Sequence, residues 1–249
     1  MSAAIALRQS TLPVMVLFVG LMPAVAFGQL KPEVQTGSLI PVAPQAVEAK
    51  DAGLIKKAFA RCIYNRNKKA AAVILTYSDP VSVDIKAAKI SDVASTFDMS
   101  ECLGKQASVT QNTLGFKFKR EMLRGFLAEE TYLAGHPVAP TLAPGSVEVI
   151  DRTYVSNSDN LPKARALGAF ADCVVFNDVS GSDALLRTMP ASASERAAAR
   201  ALAPALGKCL EQGIQFSMSP ASIRVYVADG LWNRFSRPQQ AQVAAAAKP

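Results

Sequence analysis

The side chains able to do chemistry are few in this chain. His136 is the only histidine, and it lies in a proline-rich stretch immediately before Pro137. As a general base it would need a nucleophile carried to it, and a histidine in such a stretch reads as a surface residue. The sequence has no Gly-x-Ser-x-Gly elbow, Ser-x-x-Lys pattern, phosphate loop or His-Glu-x-x-His. Carboxylates alone can cleave glycosidic bonds, so Glu129, Glu130 and Asp229 are the remaining catalytic candidates.

Two of those acids occupy one position in a pattern that occurs twice. Leu123-Arg124-Gly125-Phe126-Leu127-Ala128-Glu129-Glu130-Thr131-Tyr132 returns as Ile223-Arg224-Val225-Tyr226-Val227-Ala228-Asp229-Gly230-Leu231-Trp232. Both read aliphatic, Arg, any residue, aromatic, aliphatic, Ala, acid, two variable positions, aromatic. Recurrence of the acid argues for packing before catalysis, and no catalytic residue is assigned. Arg124 and Arg224 are the candidate binding residues, because a guanidinium in each segment could grip an anion. The competing reading weighs more: such an Arg lays its stem along a helix flank and bonds a neighbouring carbonyl or carboxylate. Phe126, Tyr132, Tyr226 and Trp232 read as core.

The elements that must hold these residues are marked by cysteines. Phe59-Ala60-Arg61-Cys62 matches Phe170-Ala171-Asp172-Cys173, and Cys102-Leu103 matches Cys209-Leu210. Four cysteines in an exported chain suggest two disulfides, with three possible connectivities. The repeated layout favours one pair per unit, Cys62–Cys102 and Cys173–Cys209. Crossed pairing would require the helices of the two units to interleave. Metal binding is disfavoured by the single His and the lack of Cys-x-x-Cys, and no cofactor is expected.

Phe-Ala-x-Cys, Cys-Leu and Leu-Arg-Gly-x-Leu-Ala-Glu-x-x-Tyr together resemble small exported proteins of sphingomonad-type alphaproteobacteria that carry this unit. The resemblance covers roughly 55–133 and 163–233 and implies a Gram-negative periplasmic setting. It brings no catalytic residue. The second copy departs from it at Val225, where the first has Gly125.

The N-terminus agrees with export. Arg8 is the only charge before an apolar run from Leu12 to Phe27, and Ala24-Val25-Ala26 supplies the small-x-small site of a signal peptidase. Cleavage is expected after Ala26, with Gly28 the alternative. The run is short for a bilayer span and holds Pro13 and Pro23, so no membrane-spanning segment is expected in the mature chain. Residues 50–133 carry 14 Lys/Arg against 9 Asp/Glu, a modest surplus. It would favour an anionic envelope component or an acidic periplasmic protein as partner, although surplus charge commonly serves solubility alone. Compartment and modest basicity disfavour nucleic acid.

The pattern gives an order of elements: signal peptide 1–26, extended leader 27–50, helical unit 51–134, proline-rich linker 135–160, second helical unit 161–235 and flexible tail 236–249. Leu54, Ile55, Ala58, Phe59, Cys62 and Ile63 form a helical stripe. Asn67 is placed to cap the next helix, and a weaker helical stripe runs from Val83 to Gly104. Lys105–Thr113 reads as loop, Leu114–Phe118 as a short extended stretch, and a closing helix follows. In the second unit Asn160 and Asp178 are placed as caps, Pro204 kinks or splits a helix over 194–210, and Ser219 or Pro220 starts the last helix. The expected fold is all-α: two tandem disulfide-closed four-helix units whose helices share a core. The function expected is a non-catalytic periplasmic binding or scaffold protein, the alternative being an envelope hydrolase that uses carboxylates without histidine.

Overall fold

A computed structural model describes residues 48–110, 120–210 and 218–237. The expected export signal, the leader up to residue 47, the stretch at 114–118, nearly all of its echo at 214–218 and the tail from 238 lie outside the described residues. Those described fall in one compact unit, Ala43–Pro249.

Asn67 ends the first helix and starts the second. At φ −148° it cannot continue α1 (Ala49–Arg66), and its side chain accepts the Ala70 N–H at 2.9 Å to cap α2 (Lys68–Thr76). Asp178 acts alike between α6 (Asn160–Asn177) and α7 (Val179–Arg187), at φ −155° with the Gly181 N–H at 2.7 Å. Asn160 is the first residue of α6 rather than its cap. Pro204 splits the expected long helix into α8 (Ala193–Ala201) and α9 (Ala203–Lys208), standing in the first turn of α9, where a missing N–H leaves no bond unmade. Ser219 caps α10 (Pro220–Leu231), which runs into a π-helical turn at Trp232–Ser236.

The middle of the first half differs from the sequence expectation. Residues 83–92, the start of the expected helical stripe, are irregular rather than helical. The Asp79 carboxylate takes the N–H groups of Val81 and Ser82, Asp84 takes that of Ala87, and Lys89 turns the chain at φ 54°. Short acidic side chains offer the backbone an alternative to the helical ladder. Helix resumes as α3 (Val93–Thr96) and α4 (Met99–Thr110), and α4 continues through residues read as loop. The Glu101–Lys105 pair, at 3.2 Å, bridges successive turns there. α5 (Arg120–Gly135) closes the first half. Between α5 and α6 the described chain contains no strand.

Cys62–Cys102 ties α1 to α4, and Cys173–Cys209 ties α6 to the end of α9, with Cα separations of 5.7 and 5.8 Å. The core is continuous across the halves: Phe59, Ile74 and Leu127 from the first pack in one cluster with Val174, Leu185 and Val227 from the second. Corresponding aromatic pairs recur in it, Phe59 edge-on to Phe126 at 6.5 Å and Phe170 edge-on to Tyr226 at 5.5 Å. α10 is central, packing on α5, α6 and α7.

α10 and α6 approach closely at Gly230. A Cβ on Gly230 would stand 2.4 Å from the Ala171 carbonyl oxygen and 2.8 Å from Val175 Cγ2. Gly230→Ala is therefore expected to lower stability by about 1–3 kcal/mol in urea unfolding. Gly104→Ala, whose Cβ would meet nothing within 4 Å, should raise it by about 0.5–1 kcal/mol. Equal effects at the two glycines would contradict the packing described.

Candidate functional site

Arg124 and Arg224 point inward, each reaching across the α5–α10 contact. Arg124 donates through Nε to Asp229 Oδ1 at 2.8 Å, and its Nη2 pairs with the same oxygen. Its Nη1 donates to the Leu75 carbonyl (3.0 Å), the Ser78 carbonyl (2.9 Å) and Ser78 Oγ (2.6 Å). Trp232 covers the guanidinium at 4.9 Å. Arg224 mirrors this. Its Nε and Nη2 hold the two oxygens of Glu129, both at 2.8 Å, in the bidentate geometry. The same group donates to the carbonyls of Leu185, Leu186 and Thr188 and to Glu195 Oε1. Each arginine thus bonds carbonyls at and just beyond the end of a helix in its own half and takes its counter-ion from the other half. With 4% and 6% exposure, neither presents a free edge to an outside anion.

Each acid has a second cation, supplied differently in the two halves. Glu129 is held by Lys57 of α1, and Asp229 by Arg152, which lies between α5 and α6. Arg152 also binds Asp172, whose oxygens accept from Asn233 as well. Lys57 stands five residues before Cys62, and the residue five before Cys173 is Gly168. A Cβ there would lie 3.2 Å from Arg152 Cδ and 2.7 Å from Tyr154 Oη. Where α1 carries its own cation, α6 carries a gap through which Arg152 enters. Asp79 fastens the same segment, accepting the Val155 and Ser156 N–H groups and Ser156 Oγ. The apolar stripe of α1 puts Lys57 on the opposite, outer face, whereas its side chain turns inward to Glu129 and Glu130, and Arg152 gave no signal of its own. The available signal was the Lys57/Gly168 mismatch between otherwise matching helices.

Burial pushes the Glu129 and Asp229 carboxyls up, but the cations beside them outweigh it. Arg224 and Lys57 hold Glu129 below its ordinary value, and Arg124 and Arg152 do so for Asp229. Burial prevails at Asp172, which is raised although Arg152 touches it. A carboxyl-only hydrolase needs one acid kept protonated near neutrality. Glu129 and Asp229 are held ionised and are 8% and 5% exposed, so the geometry gives neither that role. His136 stacks on Tyr132 at 5.0 Å and donates Nε2–H to the Phe235 carbonyl at 3.2 Å. Glu148 clusters with Cys173 and Cys209, but those sulfurs are bonded to each other and are not thiolate ligands.

The space between the two arginine-bearing helices is filled by these pairs. A groove of about 660 Å³ lies along α1. α1 contributes Asp51, Leu54, Ile55, Lys57, Ala58, Arg61, Cys62 and Asn65. The facing wall is Arg187, Thr188 and Met189 after α7, with Gln106 of α4. Two wall residues belong to the buried network: Lys57 binds Glu129, and Thr188 accepts from Arg224. Where Gly230 lets α6 touch α10, the counterpart Glu130 sets a carboxylate against α1, held by Lys57 at 2.8 Å and Arg61 at 3.5 Å. Comparison with protein-family models, curated proteins and solved structures gives no match.

The lowered carboxyls contribute stability above their ordinary values of 4.5 (Glu129) and 3.8 (Asp229), and lose it as pH falls through the depressed ones. Asp172 has the opposite sign, its contribution fading as pH rises through its raised value. With two ion pairs against one, the urea midpoint is expected to be lower at about pH 3 than at pH 7. An unchanged midpoint would contradict the pairing. Gly168→Ala should displace Arg152 and cost about 1–3 kcal/mol in the same assay, whereas a neutral effect would show that the gap is not needed.

Proposed function

We propose that the protein is a non-catalytic binding protein of the bacterial envelope, built from one helical unit used twice, with the groove along α1 as its ligand seat. The observation that carries this is the contrast between the buried charges and the groove. Arg124, Arg224, Glu129 and Asp229 are consumed internally, whereas the groove is concave, open and of the volume typical of small-ligand sites, about 300–1,000 Å³. Its middle is apolar (Leu54, Ile55, Ala58, Met189) and its edge carries Lys57, Arg61 and Arg187.

The envelope setting rests on the export-type N-terminus and on two disulfides, which persist in oxidising compartments. No helix among the described residues is long and apolar enough to cross a membrane. The duplicated unit is supported by corresponding caps, disulfides, aromatic pairs and arginine contacts in the two halves.

The test is thermal unfolding of the full chain with fractionated aqueous and organic extracts of Gram-negative envelopes, alongside Ala58→Trp and Met189→Asp. Met189 is 49% exposed, so its replacement leaves the core intact. At least one fraction is expected to raise the Tm of the parent protein by several degrees and to leave both variants unmoved. A shift equal in all three proteins, or no shift with any fraction, would contradict a ligand seat in the groove.

A further inference from the structure

The groove has a direction. Along α1 its lining runs from Asp51 through Leu54, Ile55 and Ala58 to Arg61 and Asn65, 15 residues and about 21 Å of helix. The acid stands at one end, the apolar side chains occupy the middle, and the cation and amide stand at the other. Leu54 is 37% exposed and Met189 49%, so the middle offers apolar surface that nothing in the described chain covers. Of the cations, Lys57 is turned inward to Glu129 and Glu130. Arg187 is pinned by both oxygens of Asp183 and by the His136 carbonyl. The Arg61 side chain is 63% exposed, with one long contact from Nε to Glu130 at 3.5 Å, so its terminal nitrogens are open to an acceptor from outside.

On the reading of this groove as the ligand seat, we infer that its ligand is a single-chain amphiphile with an anionic head, an acyl or alkyl chain ending in a carboxylate or phosphate. The head lies on Arg61, and the chain lies over Ala58, Ile55 and Leu54 against Met189. Charge complementarity fixes the orientation. Reversed, the head would meet Asp51, and the apolar tail would strip water from Arg61. A planar guanidinium suits either head, since carboxylate and phosphate both accept its paired N–H groups. A fully polar anion leaves the apolar middle unused, and an uncharged chain gives the terminal nitrogens of Arg61 no acceptor.

The test measures binding of dodecanoate, dodecyl phosphate, dodecanol and dodecyltrimethylammonium to the full chain by calorimetry below their micellar concentrations. Either or both anions are expected to bind at least tenfold tighter than dodecanol, and the cation not at all. Which anion is preferred separates a free carboxylate from a lipid-type phosphate head. Arg61→Gln should weaken the anions about tenfold and leave dodecanol unchanged, and Leu54→Asp should weaken all alkyl probes. Circular dichroism of each variant confirms that an altered affinity does not reflect an altered fold. Equal affinity for anion and cation, or anion binding untouched by Arg61→Gln, would overturn the inference. If no alkyl probe binds while an envelope fraction still shifts the parent protein and not Met189→Asp, the ligand class is wrong and the seat stands.

Discussion

Four charges buried at one helix crossing set the terms for the rest of this structure. Arg124 and Glu129 lie on the same helix five residues apart, as do Arg224 and Asp229, whereas side chains on one helix meet at a spacing of three or four. Neither arginine is therefore placed to use its own helix's acid, and each takes the acid of the other helix where α5 and α10 cross. The exchange follows the rule of a two-fold interface, in which residue i meets j and j meets i. The contact closest to self-encounter explains a difference between the segments: a Cβ on Gly125 would approach Val225 Cγ1 to 3.3 Å, so that one of these two corresponding positions is nearly empty. A buried ion pair of this kind gives modest net stability when complete and is costly when broken. Its consequence here is that neither half has a satisfied interior without the other.

The same network reaches the groove. Lys57 and Thr188 line it, and each holds a member of the Arg224–Glu129 pair. The loop that carries Thr188 and Met189 is held in turn: Glu195 Oε2 accepts the Ala191 N–H at 2.7 Å while Glu195 Oε1 accepts from Arg224 at 3.2 Å. The buried arginine therefore shapes one wall of the proposed seat without touching its contents. An anion held at Arg61 would share that cation with Glu130, which shares Lys57 with Glu129.

Much of the helical order was legible because its signals are local. Asn67 and Asp178 cap by reaching three residues along the chain, Pro204 interrupts its own ladder, and the cysteine layout needs only matching spacings. The irregular stretch at 83–92 was not legible, because its apolar spacing suits a helix while Asp84 draws the backbone into a turn and Lys89 takes φ 54°. The site was less legible than the helices. The sequence offered both a bonding and a binding role for Arg124 and Arg224, and their partners lie 105 and 95 residues away, beyond any local pattern. Arg152 was hidden for the same reason, since it acts across Gly168, whose meaning is the absence of a side chain. The groove was invisible because Arg187, Thr188 and Met189 join α1 only in the folded chain.

A double-mutant cycle tests most directly the claim that the halves are locked by exchanged ion pairs. Stability is measured by urea unfolding for Arg224→Met, Glu129→Met and the double variant, with the same cycle at Arg124 and Asp229. Each single change removes the main partner of a buried charge, leaving Glu129 to Lys57, Asp229 to Arg152 and Arg224 to Glu195. It is expected to cost up to about 3–5 kcal/mol, the most at Asp229, whose loss leaves Arg124 with no carboxylate among the described residues. Each double variant should cost clearly less than the sum of its singles, giving a coupling of about 1–3 kcal/mol. Cross pairs such as Arg224 with Asp229 should be near additive. Additivity within both exchanged pairs, or stronger coupling within a helix than between helices, would contradict the account.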